Sequence, residues 1–115
     1  MRFLARVSGE GTAEIPAYGS ADAEARLEKE LSRALPSAVL RILTLRRVDP
    51  DPRIVEAFAV DYRLTADVWV EEEDLESARR AAFVAARRAL EGTRFARIAW
   101  RKVELNPGDG REPPV

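Results

Sequence analysis

Phe58 to Val70 reads Phe-Ala-Val-Asp-Tyr-Arg-Leu-Thr-Ala-Asp-Val-Trp-Val. Phe58, Val60, Tyr62, Leu64, Ala66, Val68 and Val70 take every second position, and Asp61, Arg63, Thr65, Asp67 and Trp69 fall between them. A period of two held this long is that of a β-strand with one face buried. An earlier stretch, Phe3 to Ile15, has the same rhythm. Phe3, Ala5, Val7, Gly9, Gly11, Ala13 and Ile15 face one way; Leu4, Arg6, Ser8, Glu10, Thr12 and Glu14 face the other. Gly9 and Gly11 mark a bulge or a close approach of another group; the competing reading is a turn at Ser8-Gly9-Glu10-Gly11 that makes a hairpin.

Working outward, Ser20 is an expected N-cap for a helix over residues 21–35, with Asp22 and Glu24 near its positive end. Ala23, Leu27, Leu31, Ala34 and Leu35 form its apolar stripe, and Pro36 stops it. Val39 to Val48 reads as a strand, and Asp49-Pro50-Asp51-Pro52 as a stiff connection to the long strand, whose start falls near Ile54 or Val55. Glu71-Glu72-Glu73-Asp74 leads into a second helix over 75–90, striped by Leu75, Ala78, Ala82, Phe83, Ala86, Ala89 and Leu90. Gly92 suits the C′ position that ends it. Arg94 to Leu105 reads as the last strand, with Trp100 in the core, and residues 106–115 as a flexible tail.

A shift of 55 positions superimposes the two halves, about 3–50 and 58–105, without a gap. Phe3 falls on Phe58, Ile15 on Val70, Leu35 on Leu90, and Arg46-Arg47-Val48 on Arg101-Lys102-Val103. Two βαβ units in tandem make β-α-β-β-α-β. The expectation is a single α+β domain over residues 1–105 of ferredoxin-like type, from an internal duplication. It has a four-stranded antiparallel sheet in the usual order 4-1-3-2, with both helices on one face. The long strands then sit in the centre and the Arg-bearing strands at the edges, where charge discourages open-ended pairing. Strands of this length outrun helices of this length. Either the strands bend, or apolar ends at Ala13, Ile15, Ala66, Val68, Trp69 and Val70 project toward another copy of the chain.

Composition bounds the chemistry. The chain has 115 residues, a net charge of −1, no cysteine and no histidine. Thiolate chemistry, disulfides and the commonest general base and metal ligand are therefore excluded. No catalytic constellation emerges, so no catalysis, metal or cofactor is expected. The acidic run 71–74 lacks the spacing of a cation-binding loop and reads as carboxylates favouring a helix N-terminus. Arg79, Arg80, Arg87, Arg88, Arg94, Arg97 and Arg101 form a candidate anion or nucleic-acid patch, against a solvated helix face and protected edges as the plainer reading. Trp69, alone on a polar face, is a candidate interface anchor. The helix-free face offers no aromatic on the first strand and only Trp69 on the third, so an RRM-like RNA surface is not expected.

Arg6-Val7-Ser8-Gly9-Glu10-Gly11 resembles the opening strand of SIMPL domains over those six residues, and implies nothing beyond them. The N-terminus does not read as a signal peptide and no run approaches membrane-spanning length, so a cytoplasmic protein is expected. Scarce Asn, absent Gln and a preference for Arg over Lys fit either a thermophilic source or a GC-rich genome. The functional expectation is a small self-associating structural or interaction domain. The alternatives are a nucleic-acid-binding accessory protein using the Arg-rich helix face and a small-ligand-binding regulatory domain.

Overall fold

The computed structural model describes residues 1–48 and 56–107. The elements run β1 (Arg2–Ala17), α1 (Ser20–Ala34), β2 (Val39–Val48), β3 (Glu56–Glu71), α2 (Leu75–Ala89) and β4 (Ala99–Pro107). The class is α+β: one four-stranded antiparallel sheet in the order β2-β3-β1-β4, with two helices. β1 and β3 are neighbours at its centre and pair without interruption, from Arg2 opposite Glu71 to Ala17 opposite Glu56. Each is 16 residues long, about 53 Å of extended chain. That length sets the longest dimension of the molecule, 56 Å.

The alternation does what its period demands. Phe3 stands opposite Val70, Val7 opposite Ala66, and Ile15 opposite Phe58. These side chains join Ala23, Leu27 and Leu31 of α1 and Ala78, Ala82 and Ala86 of α2 in one core. Both helices therefore lie on the same face of the sheet. They enter from opposite ends, because α1 follows β1 and α2 follows the antiparallel β3. This answers the mismatch between strand and helix length: the apolar strand ends do not project, and Ala13, Ile15, Ala66 and Val70 are all buried within the chain.

β1 is one strand, not a hairpin. Its glycines are sites of close approach. A Cβ on Gly9 would lie 2.7 Å from the Ile98 side chain and 2.9 Å from the Ala99 carbonyl oxygen; on Gly11 it would lie 2.5 Å from the Tyr62 hydroxyl. Helix α1 begins at Ser20 itself, with Gly19 in the cap position, so Ser20 is not the cap. Asp22 instead accepts from the Tyr18 N–H at 2.9 Å and from Arg26 at 2.8 Å. α2 is capped by Asp74, whose carboxylate accepts the Ser77 N–H at 2.8 Å. Its C-cap is Leu90, and Gly92 follows two residues on with φ 77°.

The last strand differs most from expectation. It begins at Ala99, not Arg94, and runs to Pro107, so Asn106 and Pro107 belong to the sheet opposite Leu4 and Phe3. Residues 91–98 are turns, closed by Thr93 N–H to the Leu90 carbonyl, Ala96 N–H to Thr93 and Ile98 N–H to Phe95. The reason is Phe95. It is fully buried and meets Tyr62 edge-on at a ring separation of 5.0 Å, which a ladder position at the sheet edge does not permit. Trp100 is only half-buried and leans on Phe83. The connection 49–52, the start of the third strand at Ile54 or Val55, and 108–115 of the predicted tail lie outside the described residues.

Candidate functional site

The face of the sheet away from the helices carries a ladder of polar pairs between β1 and β3. Arg6 donates to Asp67 at 3.0 Å, Ser8 meets Thr65 at 3.5 Å, and Arg63 donates to Glu10 at 2.7 Å. Asp61 accepts from Thr12 and from Thr44 of β2, each at 2.5 Å. Those two hydrogen bonds hold the Asp61 carboxyl below its ordinary range. These pairs sit at directly opposed positions, where cross-strand partners contribute roughly 0.2–1 kcal/mol each. Their hydrogen-bonding capacity is spent on one another, which leaves little for a ligand on this face.

The edges are different. β2 pairs with β3 only between Ala57 and Thr65, and β4 pairs with β1 only between Phe3 and Glu10. Among the described residues, Gly11–Ala17 of β1 and Ala66–Glu71 of β3 thus have a neighbouring strand on one side only, at diagonally opposite corners. The Ser37 hydroxyl donates to the Asp67 carbonyl and accepts its N–H, so the Asp67 backbone points away from β1. In an antiparallel ladder that direction alternates. Trp69 and Glu71 therefore also point outward, and so do Thr12, Glu14 and Pro16 on β1. Proline fits there because a strand-edge position needs no N–H.

The six residues expected at projecting ends all fall on these two half-edges: Ala13 and Ile15 on β1, Ala66, Val68, Trp69 and Val70 on β3. They form two places, not one, and only Trp69 among them is an exposed side chain. Trp69 stands opposite Leu4, and the Arg2 guanidinium lies 4.4 Å from its ring centroid.

The seven arginines do not form one patch either. Arg94 donates to Glu30 of α1 at 2.7 Å and is anchored there. Arg97 and Arg101 line a hollow of about 380 Å³ beside Glu10 and Asp61, with Tyr62 also in its wall. Tyr62 is almost fully buried, and burial pushes its hydroxyl up to about 12. Arg80, Arg87 and Arg88 line hollows on the outer side of α2, while Arg79 lines none of these. Arg94 and Arg97 are three positions apart, which breaks a period of two and is the one sequence signal that residues 94–98 do not continue the strand. The acidic run ends in the helix cap: the Ser77 N–H draws the Asp74 carboxyl below its usual value. Among the described residues no group of three or more carboxylates is gathered as a metal site, and no helix is long and apolar enough to cross a membrane.

No protein-family model matches the chain, and neither a curated protein nor a solved structure matches it.

Proposed function

We propose that the chain is a non-catalytic interaction domain that associates with further copies of itself by adding strands at the half-edges of β1 and β3. The observation that carries this reading is that, among the described residues, each central strand has an outer partner along only part of its length. Unpaired backbone N–H and C=O groups on a strand edge are a template for another strand; on β3 the template is Trp69 and Glu71, since Ser37 already holds the Asp67 N–H and C=O. The outer edges are less suited, since Arg41, Arg46 and Arg47 line β2 and Arg101 and Lys102 line β4. The half-edges carry only acidic or neutral side chains: Thr12, Glu14 and Pro16 on one, Asp67, Trp69 and Glu71 on the other. Two such corners also fit a ferredoxin-like fold produced by duplication of a βαβ unit, because each unit then contributes one equivalent corner. The absence of histidine and cysteine from the sequence supports a role without catalysis.

Light scattering coupled to size exclusion tests this. The wild-type chain elutes as a dimer or larger. The double variant Glu14→Pro/Trp69→Pro removes two outward-facing N–H groups together with the Glu14 carboxylate and the Trp69 ring, and elutes as a monomer with an unchanged far-ultraviolet circular dichroism spectrum, whereas Glu14→Ala/Trp69→Ala, which keeps both N–H groups, stays associated. A wild type that stays monomeric at the highest attainable concentration, or a folded proline double variant of unchanged size, overturns the reading.

A further inference from the structure

Arg80, Phe83, Val84 and Arg87 are spaced i, i+3, i+4, i+7 and so share one side of α2. Trp100 reaches this stripe from β4, its ring centroid 6.4 Å from that of Phe83 and the two planes inclined at 48°. These five residues line a hollow of about 410 Å³. A second hollow of about 560 Å³ adjoins it, shares Arg80 and Val84, and continues to Arg88. Among the described residues none of Arg80, Arg87 and Arg88 is in a salt bridge, although the Arg80 charge reaches the Asp74 carboxyl. Glu72 is the one carboxylate in the two linings.

We propose that this groove binds single-stranded nucleic acid, with a base against Phe83 and Trp100 and successive phosphates at Arg80, Arg87 and Arg88. An aromatic platform flanked by cations is what an unpaired strand requires: the base stacks, and the backbone tracks the positive charge. A purely apolar occupant leaves the arginines without a use, and a bare oxyanion leaves the aromatic pair without one. The charge extends past the first hollow, which fits a strand better than one nucleotide. The −1 net charge is no obstacle. Charge is unevenly spread: the two linings hold Arg80, Arg87 and Arg88 against Glu72 alone. No lining residue of the groove lies on the half-edges themselves, so the two activities can be tested with different variants.

The chain has two tryptophans, so Trp69→Phe leaves Trp100 as the only indole reporter. Titration of that variant at low salt with a single-stranded oligothymidylate quenches its emission in a saturable way. For three phosphate contacts, the slope of log affinity against log salt is about −2. In the wild-type background, followed by anisotropy of a labelled oligonucleotide, Trp100→Ala weakens binding by roughly 5- to 150-fold, the range for one lost base stack. Arg80→Gln/Arg87→Gln, both at exposed positions, weakens it further while the circular dichroism spectrum is retained. Three results overturn the proposal: no quenching of Trp100, unchanged affinity in the double arginine variant, or equal quenching by free thymidine monophosphate at matched nucleotide concentration. The last makes the groove a small-molecule site.

Discussion

The meeting of Gly11 and Tyr62 shows how one missing carbon sets the packing of a strand pair. The two residues are cross-strand neighbours, and the tyrosine ring lies over the glycine where a side chain would otherwise stand. Gly11→Ala puts a methyl group 2.5 Å from the hydroxyl and 2.8 Å from the ring carbon bearing it. The expected loss is about 1–3 kcal/mol of unfolding free energy in a denaturant titration, the usual cost of overpacking. Adding Tyr62→Leu recovers part of it, so the pair is non-additive in a double-mutant cycle. The tyrosine also carries an alkaline signature. Its hydroxyl is raised from 10.0 to about 12 by burial, so the native state disfavours the phenolate. That contribution to stability is full below pH 10 and drains away as pH climbs toward about 12. Phenolate absorbance of a Tyr18→Phe variant isolates Tyr62 and checks it. The pattern of period two marked Gly9 and Gly11 as exceptions inside a strand. It did not say what fills the space above them, because Ile98 and Tyr62 belong to distant parts of the chain.

At the scale of elements, the strands and helices with strict periodicity were legible almost to the residue. β2 covers Val39–Val48 as read, and α2 falls one residue short of the 75–90 expected. The last connection was not legible. Arg-Phe-Ala-Arg-Ile is too short and too mixed to set a period, and the buried partner of Phe95 is what distinguishes a plug from a ladder. Phe95→Ala tests that role: the large-to-small change in a closed core costs about 3–5 kcal/mol by thermal or chemical unfolding. An exposed strand position would show far less. Pairing extent was equally hidden. Periodicity assigns a face to each residue but says nothing about how far a neighbouring strand runs alongside, so the half-edges at 11–17 and 66–71 could be read only from the register. The candidate interface residues were found for a different reason, strand length, and proved to share those segments.

For the whole molecule, acid is the vulnerable side. Asp22, Asp61 and Asp74 lie below their ordinary 3.8 and Glu104 below 4.5, each held mainly by hydrogen bonds made in the native state. Depressed carboxyl groups stabilise the fold above their unfolded values and lose that contribution as pH falls through the native ones. With no histidine to titrate, melting temperature is expected to stay level between about pH 5 and 8 and to fall below about pH 4. The pairing of β1 with β3 has a further consequence, for time rather than strength. Arg2 waits for Glu71, and on its other side Phe3 waits for Pro107. The β2–β3 pair, joined by the shortest strand-to-strand connection, can close first; β1, made before either, waits for β3, and β4 docks on β1. Non-local pairing of this kind slows folding. During synthesis a long amphipathic strand with both edges bare is therefore on display until β3 has emerged.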